Sequence, residues 1–299
     1  MDTLHLQSIN QLHQLSGISK SKHPLFSIVR FEDLRKIETN RRTRLMTGLY
    51  QITMKKACPC KMQYGQTPFD FDEGVIACFA PRQVYIIDKD FAFATSGWQL
   101  SIHPDFLRMH PLATKMKSYG FFDYNVNEAL ILSEDEQQTI ETIFGQIEKE
   151  YRLPIDQFSR EVVLAGIELL LTYCNRFYHR QFITRSTNAN ELLSKVERIL
   201  DDHFSNATDG TLPTASYLAA RLNRSTKYLS DCLKRLTGQT AQQLIHNKLI
   251  EHAKDILTTT ELSVSEIAYQ LGFEYPQSFS KLFKSKTDQT PLAYRQSFN

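Results

Sequence analysis

Between Gly238 and Gly272 the chain contains neither glycine nor proline. Within that stretch Ala241, Leu244, Ile245, Leu249, Ala253, Ile256 and Leu257 recur at intervals of three and four. The spacing predicts one amphipathic helix about 18 residues long, on the order of 27 Å. A stiff helix of that length fixes the separation of whatever flanks it, and the flanks repeat one plan. Residues 217–236 (YLAARLNRSTKYLSDCLKRL) place Leu218, Ala219 and Leu222 before Asn223, then Leu229 and Cys232 or Leu233. Residues 263–286 (SVSEIAYQLGFEYPQSFSKLFKSK) place Ile267, Ala268 and Leu271 before Gly272, then Phe279, Leu282 and Phe283. A small residue where two helices cross, a tight turn four residues on and apolar residues inside the second helix are the requirements of a helix-turn-helix. Asn223 tolerates the left-handed backbone such a turn needs. Ser225 suits the N-cap of the first unit's second helix. Ser263 with Glu266 makes a capping box, and Pro276 suits a first helical position.

Two such units on either side of a helix that, with the width of the helices at its ends, is about as long as one DNA turn, roughly 34 Å, would let one chain address successive major grooves. Net charge does not reveal this. The chain carries 35 basic and 33 acidic residues, a net of +2. The useful quantity is local: Arg221, Arg224, Lys227, Lys234, Arg235 and Lys248 stand against Asp231 alone between 221 and 248, a net of +5. Such a cluster supplies sequence-independent affinity for phosphates.

The residues Leu222, Ser225, Leu229, Ser230, Lys234 and Gly238, with "IAYQLGF", "FSKLFK" and "TPLAYR" further on, resemble the AraC/XylS family of bacterial transcription regulators over about 191–299. The resemblance implies an all-α DNA-binding domain with two helix-turn-helix units joined by a linker helix, usually in an activator. Carried over by position, it implies that Lys227, Ser230 and Asp231 read bases from the first unit and Gln277, Ser280 and Lys281 from the second. Arg224, Ser225, Lys234 and Lys284 flank these positions as phosphate contacts. The chemistry fits, because Lys donates to guanine, Gln pairs with adenine and Asp accepts from cytosine. The sequence departs from the family at Leu233, Lys248 and Asp288, the last in a turn where glycine is usual.

The front half has a different texture. From about 24 to 107, stretches such as Leu45–Thr53, Val75–Ala80 and Val84–Ile87 read as strands punctuated by Pro59, Gly65, Pro68, Gly74, Pro81 and Gly97. Ser133 with Glu136 opens a helix, and a second helical stretch runs from about 155 to 182. Its Phe158, Val162, Ala165, Leu169, Leu170 and Tyr173 form a stripe that packs on its own sheet or meets a second copy. The polar segment 183–190 reads as a linker. The fold class expected is therefore α+β: an N-terminal cupin-like β-barrel with following helices over 1–182, the cupin likeness resting on the family resemblance, then the all-α domain.

Five cysteines, Cys58, Cys60, Cys78, Cys174 and Cys232, form no framework and read as reduced thiols. No second Cys or His pair completes a metal set with Cys58 and Cys60. His103 and His110 stand seven apart, without the His-x-His that cupin enzymes use. No cofactor, metal or catalytic residue is expected, and the chain reads as no enzyme. The aromatics Tyr50, Tyr64, Phe69, Phe71, Phe79, Phe91, Phe93 and Trp98 fill a core or line an effector pocket. Residues 20–61 carry a net of +8, including Arg41, Arg42 and Arg44, and residues 123–168 a net of −8; the basic cluster binds an anionic effector, touches DNA or faces the acidic helices of the same chain, the last needing no partner. No apolar stretch reaches membrane-spanning length and no signal peptide is visible, which makes the cytoplasm the expected location. Expected partners are double-stranded DNA, RNA polymerase, a small-molecule effector and a second copy of the chain. A metal-dependent cupin enzyme with a helical appendage, or a protein-interaction module without DNA binding, are the alternatives.

Overall fold

The computed structural model describes residues 3–34, 43–56, 62–64, 67–69, 74–87, 96–125, 128–184, 186–206 and 211–298. Cys58, Cys60, Arg41, Arg42, Phe71, Phe91 and Phe93 lie outside the described residues. The chain divides into two compact units, Met1–Gln181 and Phe182–Asn299.

The first unit is mixed α+β. In chain order it contains β1 (Thr3–Leu6), α1 (Ile9–Leu15), β2 (Phe26–Arg30), β3 (Thr43–Thr47), β4 (Tyr50–Lys56), β5 (Met62–Tyr64), β6 (Thr67–Phe69), β7 (Val75–Phe79), β8 (Val84–Ile87), β9 (Ser96–Ile102), α2 (Leu112–Ser118), β10 (Leu130–Ile131), α3 (Glu134–Arg152) and α4 (Ser159–Thr184). Five strands form an antiparallel sheet in the order β10-β7-β4-β9-β2, and β1-β3-β8 form a second sheet in which β1 and β3 run parallel. Among the described residues the five-stranded sheet does not close, since β10 and β2 are its two ends. The central strand β4 is buried at four successive positions, Gln51 to Met54, so both faces of the sheet are covered.

Leu45–Thr53 reads from the sequence as one strand, but the chain breaks there at Gly48 and Leu49 and passes from one sheet to the other. Thr47 stabilises the break: its hydroxyl donates to the Leu49 carbonyl at 3.2 Å and accepts from the Leu49 amide at 3.3 Å. Such local side-chain bonds compete with a continuous ladder.

The opposed charge segments do meet. Glu148 on α3, 6% exposed, accepts from Arg30 Nε (2.9 and 3.1 Å), from Trp98 Nε1 (3.0 Å) and from Arg152 (2.5 Å). Burial alone would raise its carboxyl pKa; the hydrogen bonds from Arg30, Trp98 and Arg152 outweigh that and hold it below the ordinary value. Lys56 pairs with Glu141 on the same helix, and the Arg30 guanidinium lies 5.2 Å from the Trp98 ring centre. Trp98 is thus a core residue joining sheet to helix. Phe158, Val162, Ala165 and Leu169 are exposed, Tyr173 is half-buried and Leu170 is fully buried. Most of the α4 stripe therefore does not pack on its own sheet.

The second unit is helical: α5 (Ser186–Asn206), α6 (Ala215–Arg221), α7 (Thr226–Thr237), α8 (Ala241–Thr259), α9 (Val264–Gln270), α10 (Pro276–Thr287) and α11 (Pro291–Gln296). The segment 183–190 is helical wherever it is described, as the end of α4 and the start of α5. Serine, threonine and asparagine disfavour a helix interior by only tenths of a kcal/mol each, roughly, so their polarity does not interrupt it.

Candidate nucleic-acid interface

The helical unit has two cores hung on one helix. Leu218, Ala219, Leu229 and Leu233 join Ala241 and Ile245 of α8 with Val196 and Leu200 of α5. Ile267, Ala268, Leu271, Phe273, Phe279 and Phe283 join Leu249, Ala253, Ile256 and Leu257 at the other end of α8. Phe204 packs against both. The α8 face read from the sequence is the buried one, apart from the half-buried Leu244.

The turns are built alike. In the first, Asn223 takes φ 56° and the Arg224 amide donates to the Ala219 carbonyl at 2.9 Å. In the second, Gly272 takes φ 88° and the Phe273 amide donates to the Ala268 carbonyl, again at 2.9 Å. Each is the six-to-one bond of a left-handed helix terminus. Ser225 caps α7 by accepting from the Tyr228 amide, and Ser263 with Glu266 forms the capping box that opens α9. Those bonds hold the Glu266 carboxyl below its ordinary pKa, the Ser263 side chain contributing most. At the far ends, Gly238 (φ 73°) terminates α7 and Asp288 (φ 59°) terminates α10. The departure at Asp288 thus keeps the glycine geometry, which Asp tolerates better than most residues. Arg295 ties α11 back to α8, donating to the carbonyls of Leu257 (2.9 Å) and Leu262 (2.7 Å).

Of the residues expected to read bases, Lys227, Gln277 and Lys281 are exposed and Ser230, Asp231 and Ser280 are half-exposed. They lie on the first two turns of α7 and α10. Lys227 Nζ and Asp231 Oδ1 are 2.9 Å apart, an ion pair one turn long. Of the expected phosphate contacts, Lys234 and Lys284 are exposed, Ser225 uses its hydroxyl as a cap, and Arg224 lies 5.5 Å from the Tyr228 ring centre. Lys286 was missed by sequence reasoning. It is exposed in the last turn of α10 and close enough to help burial hold the His246 pKa down. A signal was present: α10 carries Lys281, Lys284 and Lys286 and no acid.

His103 and His110 each accept a backbone amide two residues ahead, from Asp105 and Leu112, both at 3.2 Å. Cys78, Cys174 and Cys232 are buried free thiols; burial pushes Cys174 up to about 12 and Cys232 up to about 11. Such thiols are protonated and inert. Among the described residues no helix is long and apolar enough to cross a membrane.

Residues 218–297 match the family model described as a helix-turn-helix domain. The C-terminal unit carries an AraC-type helix-turn-helix domain, a DNA-binding domain. The chain is 31% identical over 117 residues to a protein named histidine kinase P4 of Formosa agariphila, a match covering 39% of this chain and 8% of that protein. It is 25% identical over 147 residues to the uncharacterized HTH-type transcriptional regulator YijO of Escherichia coli, covering 49% of this chain and 48% of the relative. The chain therefore spans less than half of the length of either relative. The C-terminal domain of the two-component response regulator yesN from Fusobacterium nucleatum is 36% identical, covering 36% of this chain and 98% of that structure at a TM-score of 0.31.

Proposed function

We propose that the chain is a sequence-specific DNA-binding transcription regulator, an activator acting in the cytoplasm, whose α7 and α10 enter successive major grooves. Lys227, Ser230 and Asp231 read bases in one groove, and Gln277, Ser280 and Lys281 in the next. Arg224, Ser225, Lys234 and Lys284 hold the flanking phosphates. The observation that carries this reading is the duplication of a whole helix-turn-helix around one shared helix, with exposed polar side chains at matching places on both second helices.

The N-terminal unit is the sensing or dimerising part, cupin-like in kind, and responds to a small-molecule effector by shifting the balance between DNA-competent and incompetent states. The exposed α4 stripe of Phe158, Val162 and Leu169 supports contact with a second copy. RNA polymerase is the partner through which bound protein activates.

Selection of random duplex DNA by the full chain, with and without cell extract, tests the reading. A recovered site with two half-sites about one helical turn apart is the expected result. Recovery of no motif in either arm overturns it.

A further inference from the structure

The second helices of the two helix-turn-helix units align in sequence without a gap. Counting from the first residue of each second helix, Thr226 and Pro276, the core residues Leu229 and Leu233 correspond to Phe279 and Phe283, and the terminators Gly238 and Asp288 also correspond. The threonines one place before them do so down to their bonds. Thr237 Oγ1 donates to the Leu233 carbonyl and Thr287 Oγ1 to the Phe283 carbonyl, both at 2.8 Å. On helices matched this closely, Lys227 corresponds to Gln277, Ser230 to Ser280, and Asp231 to Lys281. The sixth position thus carries opposite charge in the two units.

We infer that this reversal makes the half-sites unlike, with Asp231 acting as a specificity residue by exclusion. The inference rests on the proposed DNA reading. A carboxylate facing a base edge accepts and cannot donate. It tolerates the amino groups of cytosine N4 or adenine N6 and is repelled by the acceptors of guanine and thymine. An ammonium at the same position has the opposite demand and takes guanine O6 and N7 or thymine O4. Discrimination by an unfavourable group is a recognised route to specificity, and it lowers affinity for every wrong partner.

The ion pair strengthens the argument. Asp231 Oδ1 holds Lys227 Nζ at 2.9 Å, so part of the positive charge of α7 is neutralised on the surface offered to DNA. Position 281 instead adds to Lys284 and Lys286 on α10. At this one position the first unit therefore offers an acceptor and the second a donor.

The test is selection from random duplexes by the full chain, its Asp231→Asn variant and its Lys281→Asp variant, followed by affinity measurements on cognate and scrambled duplexes. Asp231→Asn is expected to lose preference at one base position of one half-site, by about tenfold or more. It should also bind scrambled duplex more tightly than the parent. Lys281→Asp should move one position of the other half-site toward cytosine or adenine and weaken scrambled binding. An unchanged motif from Asp231→Asn, with the parent motif intact, overturns this inference and leaves the DNA reading standing. No motif from the parent overturns both.

Discussion

The two helix-turn-helix units keep one geometry with different residues. The first unit puts Asn223 in its turn and Gly238 at its end; the second puts Gly272 in its turn and Asp288 at its end. All four take positive φ, and all are types for which the left-handed region is least costly. The first core is aliphatic, around Leu218, Leu229 and Leu233, whereas Phe273, Phe279 and Phe283 fill the second. The hydroxyl of Ser225 caps α7; Tyr275 gives α10 no side-chain cap, and Pro276 at its start needs no amide partner. Backbone conformation is thus what the two units share, and the side chains that secure it are interchangeable within physical limits.

The largest test of this comparison lies in the cores. Phe279→Ala removes a fully buried ring set against Phe273 and Phe283 and should destabilise the helical unit by about 4 kcal/mol, Leu229→Ala by about 3 kcal/mol. Urea unfolding of the full chain followed by far-UV circular dichroism measures both. Fluorescence of Trp98, the sole tryptophan, lies in the other unit and should report little change. If caps are interchangeable, Gly238→Asp should cost less than Gly238→Ala, for which about 1 to 2 kcal/mol is expected from the backbone alone. No atom lies within 4 Å of a Cβ added there, so a clash cannot confuse the result. For binding, Lys234→Ala and Lys284→Ala occupy matching positions and should each reduce the salt-dependence slope by about one, without altering the selected motif.

The smallest effect should separate the units by pH. His246, on α8, is held below its ordinary pKa first by burial and then by Lys286 of the second unit. Its neutral form stabilises the fold, a contribution present above the unfolded value of about 6.5 and lost as pH falls through the lower folded value. Unfolding midpoints at pH 7.5 and 5 should therefore differ slightly more for the parent than for His246→Gln. An equal difference in both would remove His246 from the account.

Legibility in the sequence followed the range of the interactions concerned. Caps and turns are local, so Ser225, Ser263 with Glu266, Pro276 and Asn223 were readable from neighbours a few residues away. The face of α8 was readable because burial on a helix repeats at 3.6 residues. Gly48 inside the run Leu45–Thr53 is a local sign of a bend, but nothing local shows that the two halves join different sheets. Segment 183–190 looked irregular by composition, yet both flanking helices extend into it. The pair of Lys227 with Asp231 stood in the open at a spacing of four, while the correspondence of Asp231 with Lys281 emerged only when the helix ends were fixed.

The shared helix has a mechanical consequence. Ala241 and Ile245 belong to one core and Leu249, Ala253 and Leu257 to the other, so α8 works as an indexed axle between them. One residue inserted between Ile245 and Leu249 would advance one unit by about 1.5 Å and turn it by about 100° relative to the other. No side-chain exchange could restore the phase that the proposed reading of two successive grooves demands. Spacing along α8 is therefore the gear ratio of the domain, and it tolerates substitution far better than a change in length.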